Sequence, residues 1–256
     1  MKLSVILITK NESANLQACL EGVKFASEWI VVDSGSTDDT VEIARRLGAT
    51  VIQTQDWPGF GLQKNRALDA ATGEWILSLD ADERITPQLA DEILEVIHHP
   101  AASQAYEILR KGWYCGKFIH HGDWSKDYVI RLFKKGSARF SEDRVHERLV
   151  VNGRTGRLHS PMLHYSFMNF SQVLQKMDSY SSLSAQQKHA QGKKAGIGTA
   201  LAHGIWAFIR CYFLKRGFLD GRHGLALAIS NAQGSYYRYL KIWLLDQEER
   251  QKEKLF

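Results

Sequence analysis

The first 80 residues hold four short strand-like runs separated by three helix-compatible stretches, and this alternation leaves few folds open. LSVILIT (3–9) and WIVVD (29–33) are continuous apolar runs bounded by polar residues, as strands covered on both faces require. TVIQT (50–54) and EWILSLD (74–80) read as the third and fourth strands. Between them lie NLQACLEGVKFA, DDTVEIARRLG and GLQKNRALDAAT. Thr37 is placed to cap the second of these, which has acids in its first turn, basic residues in its last and Gly48 beyond it. The pattern predicts an α/β fold: a mostly parallel, Rossmann-like sheet flanked on both faces by helices. At 256 residues and 44% apolar, the chain suits one large domain, or one domain with an appendage.

In such sheets ligands bind beyond the carboxyl ends of the strands, and the notable polar residues gather there. Thr9, Asn11 and Glu12 follow the first strand, Asp33 and Ser34 the second, and Asp80 and Asp82 the fourth. ILSLDADERI (76–85) ends an apolar run in three carboxylates, Asp80, Asp82 and Glu83. An extended backbone would aim Asp80 and Asp82 the same way, so a cation between them is expected, and Mg²⁺ or Mn²⁺ suits oxygen ligands. Capping the next helix does not require the pair, because Thr86 and Pro87 already start it.

Cys19, Cys115 and Cys211 are far apart and odd in number, which indicates neither a disulfide framework nor a zinc knuckle and fits a reducing cytoplasm. The apolar start is too short for a signal-peptide core and reads as a first strand. Residues 1–167 hold 20 Lys and Arg against 22 Asp and Glu, whereas residues 168–256 hold 13 against 6. A basic tail on a near-neutral body predicts an anionic partner surface.

The stretches LSVILITKNESANL, WIVVDSGSTDDTVEIARRLGA, QKNRALDAATGEWILSLDADE and RLFKKGSARFSEDRVHERL run in order from residue 3 to about 165. In these the chain resembles the family 2 glycosyltransferases of GT-A fold, specifically bacterial lipopolysaccharide-core β-1,4-glucosyltransferases that act on inner-core heptose. No Walker A or G-x-G-x-x-G sequence competes with that resemblance. It implies a UDP-sugar donor across the strand ends, with Asp33 on the uracil or ribose and Thr9, Asn11, Glu12 and Ser34 lining the nucleoside; the alternative for Asn11 and Ser34 is turn-making or helix capping. Lys64 and Arg66 are expected at the diphosphate; the alternative for Arg66 is a solvated surface charge. Asp82 is expected on the metal and Asp80 on the ribose or a metal-bound water; His164 is either a further metal ligand or a core or loop histidine.

Inverting transfer needs one carboxylate base. The resemblance puts it within EDRVHE (142–147), in either Glu142-Asp143 or His146-Glu147. Glu147 is favoured because Val145 and Leu149 suggest that odd positions there are buried, with Asp143 the alternative; a charged loop in which Arg144 and Arg148 pair with the acids is the third reading. Trp113, Tyr114, Trp124 and Tyr128, with Arg131 and His146, make a candidate acceptor surface for a phosphorylated sugar, or an ordinary half-exposed hairpin.

Residues 1–167 are therefore expected to form the GT-A domain, with the donor half at about 1–85 and the acceptor half at about 100–165, and residues 168–256 a basic helical extension. The extension begins with a polar helix, followed by the apolar IGTALAHGIWAFIRCYFLKRGFL (197–219) and a final helix. Arg210 lies inside the apolar stretch and Lys215 and Arg216 follow it, which suggests a helix lying in a membrane interface, with Trp206, Phe208, Tyr212 and Phe213 at lipid depth. The expected location is the cytoplasmic face of the bacterial inner membrane. Packing on the catalytic domain or a homo-oligomer contact is the alternative, and nucleic acid is not an expected partner, since the aromatics cluster with aliphatics. The competing functions are a polyisoprenyl-phosphate or other cell-envelope glycosyltransferase and a non-catalytic nucleotide-sugar-binding membrane scaffold.

Overall fold

A computed structural model describes residues 1–99, 102–141 and 148–255. It divides into two compact units, residues 1–110 with 127–164, and residues 111–126 with 165–256. Residues 111–126 thus group with the C-terminal residues and not with the first domain, where the sequence reading put them.

The first unit opens with the expected alternation: β1 (Leu3–Thr9), α1 (Ser13–Glu21), β2 (Glu28–Asp33), α2 (Thr40–Arg46), β3 (Thr50–Gln53), α3 (Phe60–Ala70) and β4 (Trp75–Leu79). The strands lie in the order β3-β2-β1-β4, all parallel, with β1 in the middle. Successive β1 side chains point to opposite faces. Leu3, Val5 and Leu7 therefore enter a core with Leu16 and Leu20 of α1 and Ala44 of α2, while Ile6 packs with Ala67 and Leu68 of α3 on the other face. Helices on both faces and polar loops at the carboxyl ends are the α/β, GT-A-type arrangement read from the sequence.

A two-residue strand, β5 (Glu83–Arg84), precedes α4 (Pro87–His98). Thr86 caps α4 as expected, its Oγ1 accepting a hydrogen bond from the Leu89 amide, with Pro87 in the first helical position. The second helix begins differently. Asp39 is the residue before α2, and the Asp38 carboxylate takes hydrogen bonds from the Thr40 amide and hydroxyl and from the Ser13 amide. Thr37 is not its cap; its amide donates to Asn11 Oδ1.

The chain continues through β6 (Ala105–Tyr114), β7 (Lys117–Phe118), β8 (Tyr128–Lys134), β9 (Ala138–Phe140), β10 (Leu149–Val151), β11 (Thr155–Arg157) and β12 (Met162–Phe167). Within the first unit β8 extends the sheet antiparallel to β4, β6 pairs with β8, and β12 pairs with β5 so that His164 faces Glu83 in register.

The second unit carries α5 (Phe170–Ala190), α6 (Ile197–Ile209) and α7 (Arg222–Leu255). The apolar stretch after residue 196 is not one helix: α6 runs into a π-helical turn at Arg210–Leu214 and a 3-10 turn at Gly217–Asp220. Gly204 lets α6 lie close on α7, since a Cβ there would meet Tyr236 Cβ at 3.2 Å and the Ala232 carbonyl oxygen at 3.3 Å. His120 and His121 hold no metal cluster among the described residues; their amides donate to the buried Asp220 carboxylate at 3.1 and 2.7 Å.

Candidate active site

The loops that leave β1 and β2 lace together. Thr9 and Asp33 are register partners at the strand ends, and the Thr9 hydroxyl donates to Asp33 Oδ2 at 3.1 Å. Asp33 Oδ1 accepts from the Gly35 and Ser36 amides at 3.1 and 2.9 Å, and the Ser36 hydroxyl donates to Oδ2. A carboxylate has about four acceptor positions, and the four donors use them. Asp33 is fully buried. Its carboxylate, which the sequence reading put on the uracil or ribose, organises the loop between β2 and α2.

Asn11 sits at φ 57°, a left-handed conformation that Asn tolerates, and this turns its side chain across to the Thr37 amide at 2.8 Å. The Glu12 amide donates to Thr40 Oγ1 at 2.8 Å, and the Ser34 hydroxyl accepts from Gln63 Nε2 at 2.8 Å. Asn11 and Glu12 keep exposure on this rim, whereas Thr9 and Ser34 are buried beneath it.

Beyond β4 the chain does not stay extended. The Glu83 amide donates to the Asp80 carbonyl at 3.0 Å, closing a turn over Asp80–Glu83. The turn separates the two aspartates that extended backbone would have aimed together. Asp80 Oδ1 lies 3.2 Å from Lys64 Nζ, and its Oδ2 accepts from Arg131 Nη2. Asp82 instead faces His164, with Oδ2 3.2 Å from Nε2.

Under this turn is Glu83, whose buried carboxylate the sequence reading gave no role. Its Oε2 accepts from the Asp80 amide at 3.1 Å, and its Oε1 accepts from Arg131 at 2.6 Å and Arg110 at 3.4 Å. Arg131, which the sequence reading gave to the acceptor surface, fastens the turn from below through Nη2. Burial alone would raise the Asp80 carboxyl, yet Arg131 and Lys64 overcome this and hold it well below the usual carboxylate range. Asp80 is an anchored anion. The only sequence signal for this was the third acid of DADE, since its cation partners lie in α3, β6 and β8.

Lys64, Arg110, Arg131 and Arg148 line a cleft of about 390 Å³, with Asp80 its one carboxylate among the described residues. That volume lies within the range of small-ligand sites. Arg131 Nε is buried in the described structure without a hydrogen-bond partner. Lys64, which the sequence reading put at the diphosphate, lies in the second turn of α3 and lines this cleft. Arg66 does not reach the cleft lining; its guanidinium makes a two-pronged bond to Asp56, at 2.8 and 2.6 Å, on the surface.

Asp82 and His164 are the two metal-type side chains that converge, and no group of three exists among the described residues. A carboxylate and an imidazole fit a divalent cation that takes its remaining ligands from water and a substrate diphosphate, as Mg²⁺ and Mn²⁺ commonly do. Glu147, Asp143 and His146 lie outside the described residues. In the second unit, Trp113 packs on Phe118 with ring centroids 4.8 Å apart, and Trp124 stacks on Phe167 at 5.8 Å.

The Glycosyl transferase family 2 domain matches residues 4–152. The chain belongs to glycosyltransferase family 2. This family 2 chain is 34% identical over 253 residues to the uncharacterized glycosyltransferase RP128 of Rickettsia prowazekii (strain Madrid E), covering 94% of this chain and 86% of the relative. The lipopolysaccharide core biosynthesis glycosyltransferase LpsC of Rhizobium meliloti (strain 1021) is 26% identical, with 93% of each chain covered. Among solved structures, S. aureus TarS 1–349 superposes with a TM-score of 0.48 at 20% identity, covering 87% of this chain and 73% of that one. As a family 2 glycosyltransferase, the chain is an enzyme whose strand-end cleft is the place to look for its chemistry.

Proposed function

We propose that this glycosyltransferase moves glucose from UDP-glucose, with inversion, to a heptose of the lipopolysaccharide inner core. The observation that carries the donor half is the cationic cleft at the strand ends, where a buried Arg131 Nε, without a partner among the described residues, lies with Lys64, Arg110 and Arg148. Such a wall suits a diphosphate. The acceptor half is supported by the relative named for lipopolysaccharide core biosynthesis and by the aromatic residues Trp113 and Trp124.

In this reading, Lys64 and the arginines hold the diphosphate, and the Asn11–Glu12 rim borders the nucleoside. Asp82 and His164 are the residues that hold a divalent cation, either Mg²⁺ or Mn²⁺. When bound, the metal supplies Lewis-acid stabilisation of the negative charge that collects on the departing UDP. Glu147 takes the proton from the acceptor hydroxyl as its oxygen attacks the anomeric carbon, with Asp143 the alternative base. UDP release from UDP-glucose, measured with and without a heptose-terminated core acceptor, tests the reaction. Acceptor-dependent release is expected; absence of release despite UDP binding would refute this donor and acceptor pair. Glu147→Gln is expected to slow transfer by about 10²-fold or more while UDP-glucose still binds. Loss of turnover in Asp143→Asn with Glu147→Gln active would move the base to Asp143, and activity in both would remove it from this segment.

We further infer that the enzyme rests on the membrane surface. Ile197, Leu201, Ile205 and Ile209 repeat every fourth residue along α6 and are 37–61% exposed, forming one apolar row. Residues 197–214 are apolar enough by composition to cross a membrane and are only 22% buried. Phe208 and Tyr212, expected at lipid depth, instead stack on each other with ring centroids 5.4 Å apart, and both are half-buried. Ile205→Glu with Ile209→Glu is expected to abolish co-sedimentation with phosphatidylglycerol vesicles, and unchanged sedimentation would reject the surface reading.

A further inference from the structure

The second unit contains a cavity of about 740 Å³, lined by α5, α6, α7 and the segment around Trp124. Its wall carries four permanent cations, Lys176, Arg210, Lys215 and Arg238, against one carboxylate, Asp123. Asp123 is already committed. Arg210 donates to its two oxygens at 3.2 and 2.9 Å, and Lys215 Nζ lies 2.9 Å from Oδ1.

Two cations then remain without a carboxylate on the wall. Lys176 lies with its ammonium 5.1 Å from the Phe167 ring centroid, and Arg238 Nε is buried with no hydrogen-bond partner in the described structure. Gathering cations around one cavity and burying a guanidinium N–H without a partner are both unfavourable, so this arrangement is suited to an incoming anion. Arginine and lysine together favour a phosphate, whose oxygens accept several charge-assisted hydrogen bonds. Tyr180, Trp206 and the Trp124 ring border the same space with flat apolar faces. Such faces pack against the C–H face of a sugar.

We propose that this cavity binds a phosphorylated sugar, with the phosphate on Arg238 and Lys176 and the ring against the aromatics. Only in identifying that sugar as part of the acceptor does the inference rest on the transfer reaction proposed above. The site itself is argued from the second unit alone.

Titration calorimetry on the full chain without nucleotide-sugar tests it, using mannose 6-phosphate, mannose, inorganic phosphate and phosphatidylglycerol vesicles as probes. Failure of the donor chemistry therefore leaves this measurement readable. Mannose 6-phosphate is expected to bind at least about tenfold more tightly than either mannose or inorganic phosphate, and Arg238→Gln to weaken it by about tenfold, the scale of one charge-assisted hydrogen bond. Melting temperature and UDP affinity report whether the variant is folded, and where Arg238→Gln is not, Lys176→Gln decides by the same loss. Unchanged binding in the folded variants overturns the site. Equal binding of mannose with and without phosphate overturns the anion, equal binding of mannose 6-phosphate and inorganic phosphate overturns the sugar, and binding to vesicles alone overturns both in favour of a lipid surface.

Discussion

Asp82→Asn is expected to reduce acceptor-dependent UDP release by at least about 10³-fold, the effect of losing several kcal/mol of charge stabilisation at the leaving group. The variant keeps the size and most of the hydrogen-bonding capacity of the side chain, so the turn at Asp80–Glu83 and the Lys64–Asp80–Arg131 contacts should persist. What it removes is the anionic oxygen that stands 3.2 Å from His164 Nε2. Electron paramagnetic resonance of Mn²⁺ in the presence of UDP gives a readout independent of turnover. Wild-type protein should take up the ion and Asp82→Asn should not. Full activity and full Mn²⁺ uptake by the variant would remove Asp82 from the metal site.

Arg131→Met is expected to cost about 3 kcal/mol of stability, read from the urea midpoint. Arg131 and Glu83 are both buried, and removing one member of a buried ion pair leaves an uncompensated charge worth roughly 3–5 kcal/mol. The lower end applies because the Asp80 side chain is 34% exposed, so water screens that part of the loss, and Lys64 remains 3.2 Å away. The pH dependence has a definite sign. Asp80 is held below the usual carboxylate range in the folded protein, so its contribution is complete above the unfolded value of about 3.9 and is lost as pH falls toward the folded one. Wild-type stability should therefore fall more steeply than that of Arg131→Met below about pH 4. Equal midpoints for the two proteins at pH 7 would show that Arg131 does not anchor the turn.

The alternation of β1–β4 with α1–α3 was legible because each element carries its own periodicity and its own stop signal, and burial on both faces leaves an apolar run that needs no partner to be noticed. The cap of α4 was legible for the same reason: Thr86 and Pro87 act within four residues of their target. The start of α2 was not, because the Asp38 carboxylate that takes the Thr40 amide also takes the Ser13 amide, 25 positions away in the chain. Asp33 illustrates the same limit. Its position at a strand end is local, but the Thr9 hydroxyl that helps fill its acceptors arrives from a neighbouring strand.

The amino-acid sequence by itself determined the parallel α/β layout, the gathering of polar residues at the strand ends, the acidic turn and the basic, partly apolar C-terminal part. Each of these follows from residue type and short-range spacing, where backbone geometry leaves little choice. Only the tertiary structure decided that Asp80 and Asp82 part company, that Glu83 and Arg131 fasten the turn from beneath, that Asp82 meets His164, and that residues 111–126 join the C-terminal unit. A charge's role depends on which countercharge lies within a few ångströms, and here those partners come from α3, β6, β8 and β12, tens of residues away along the chain.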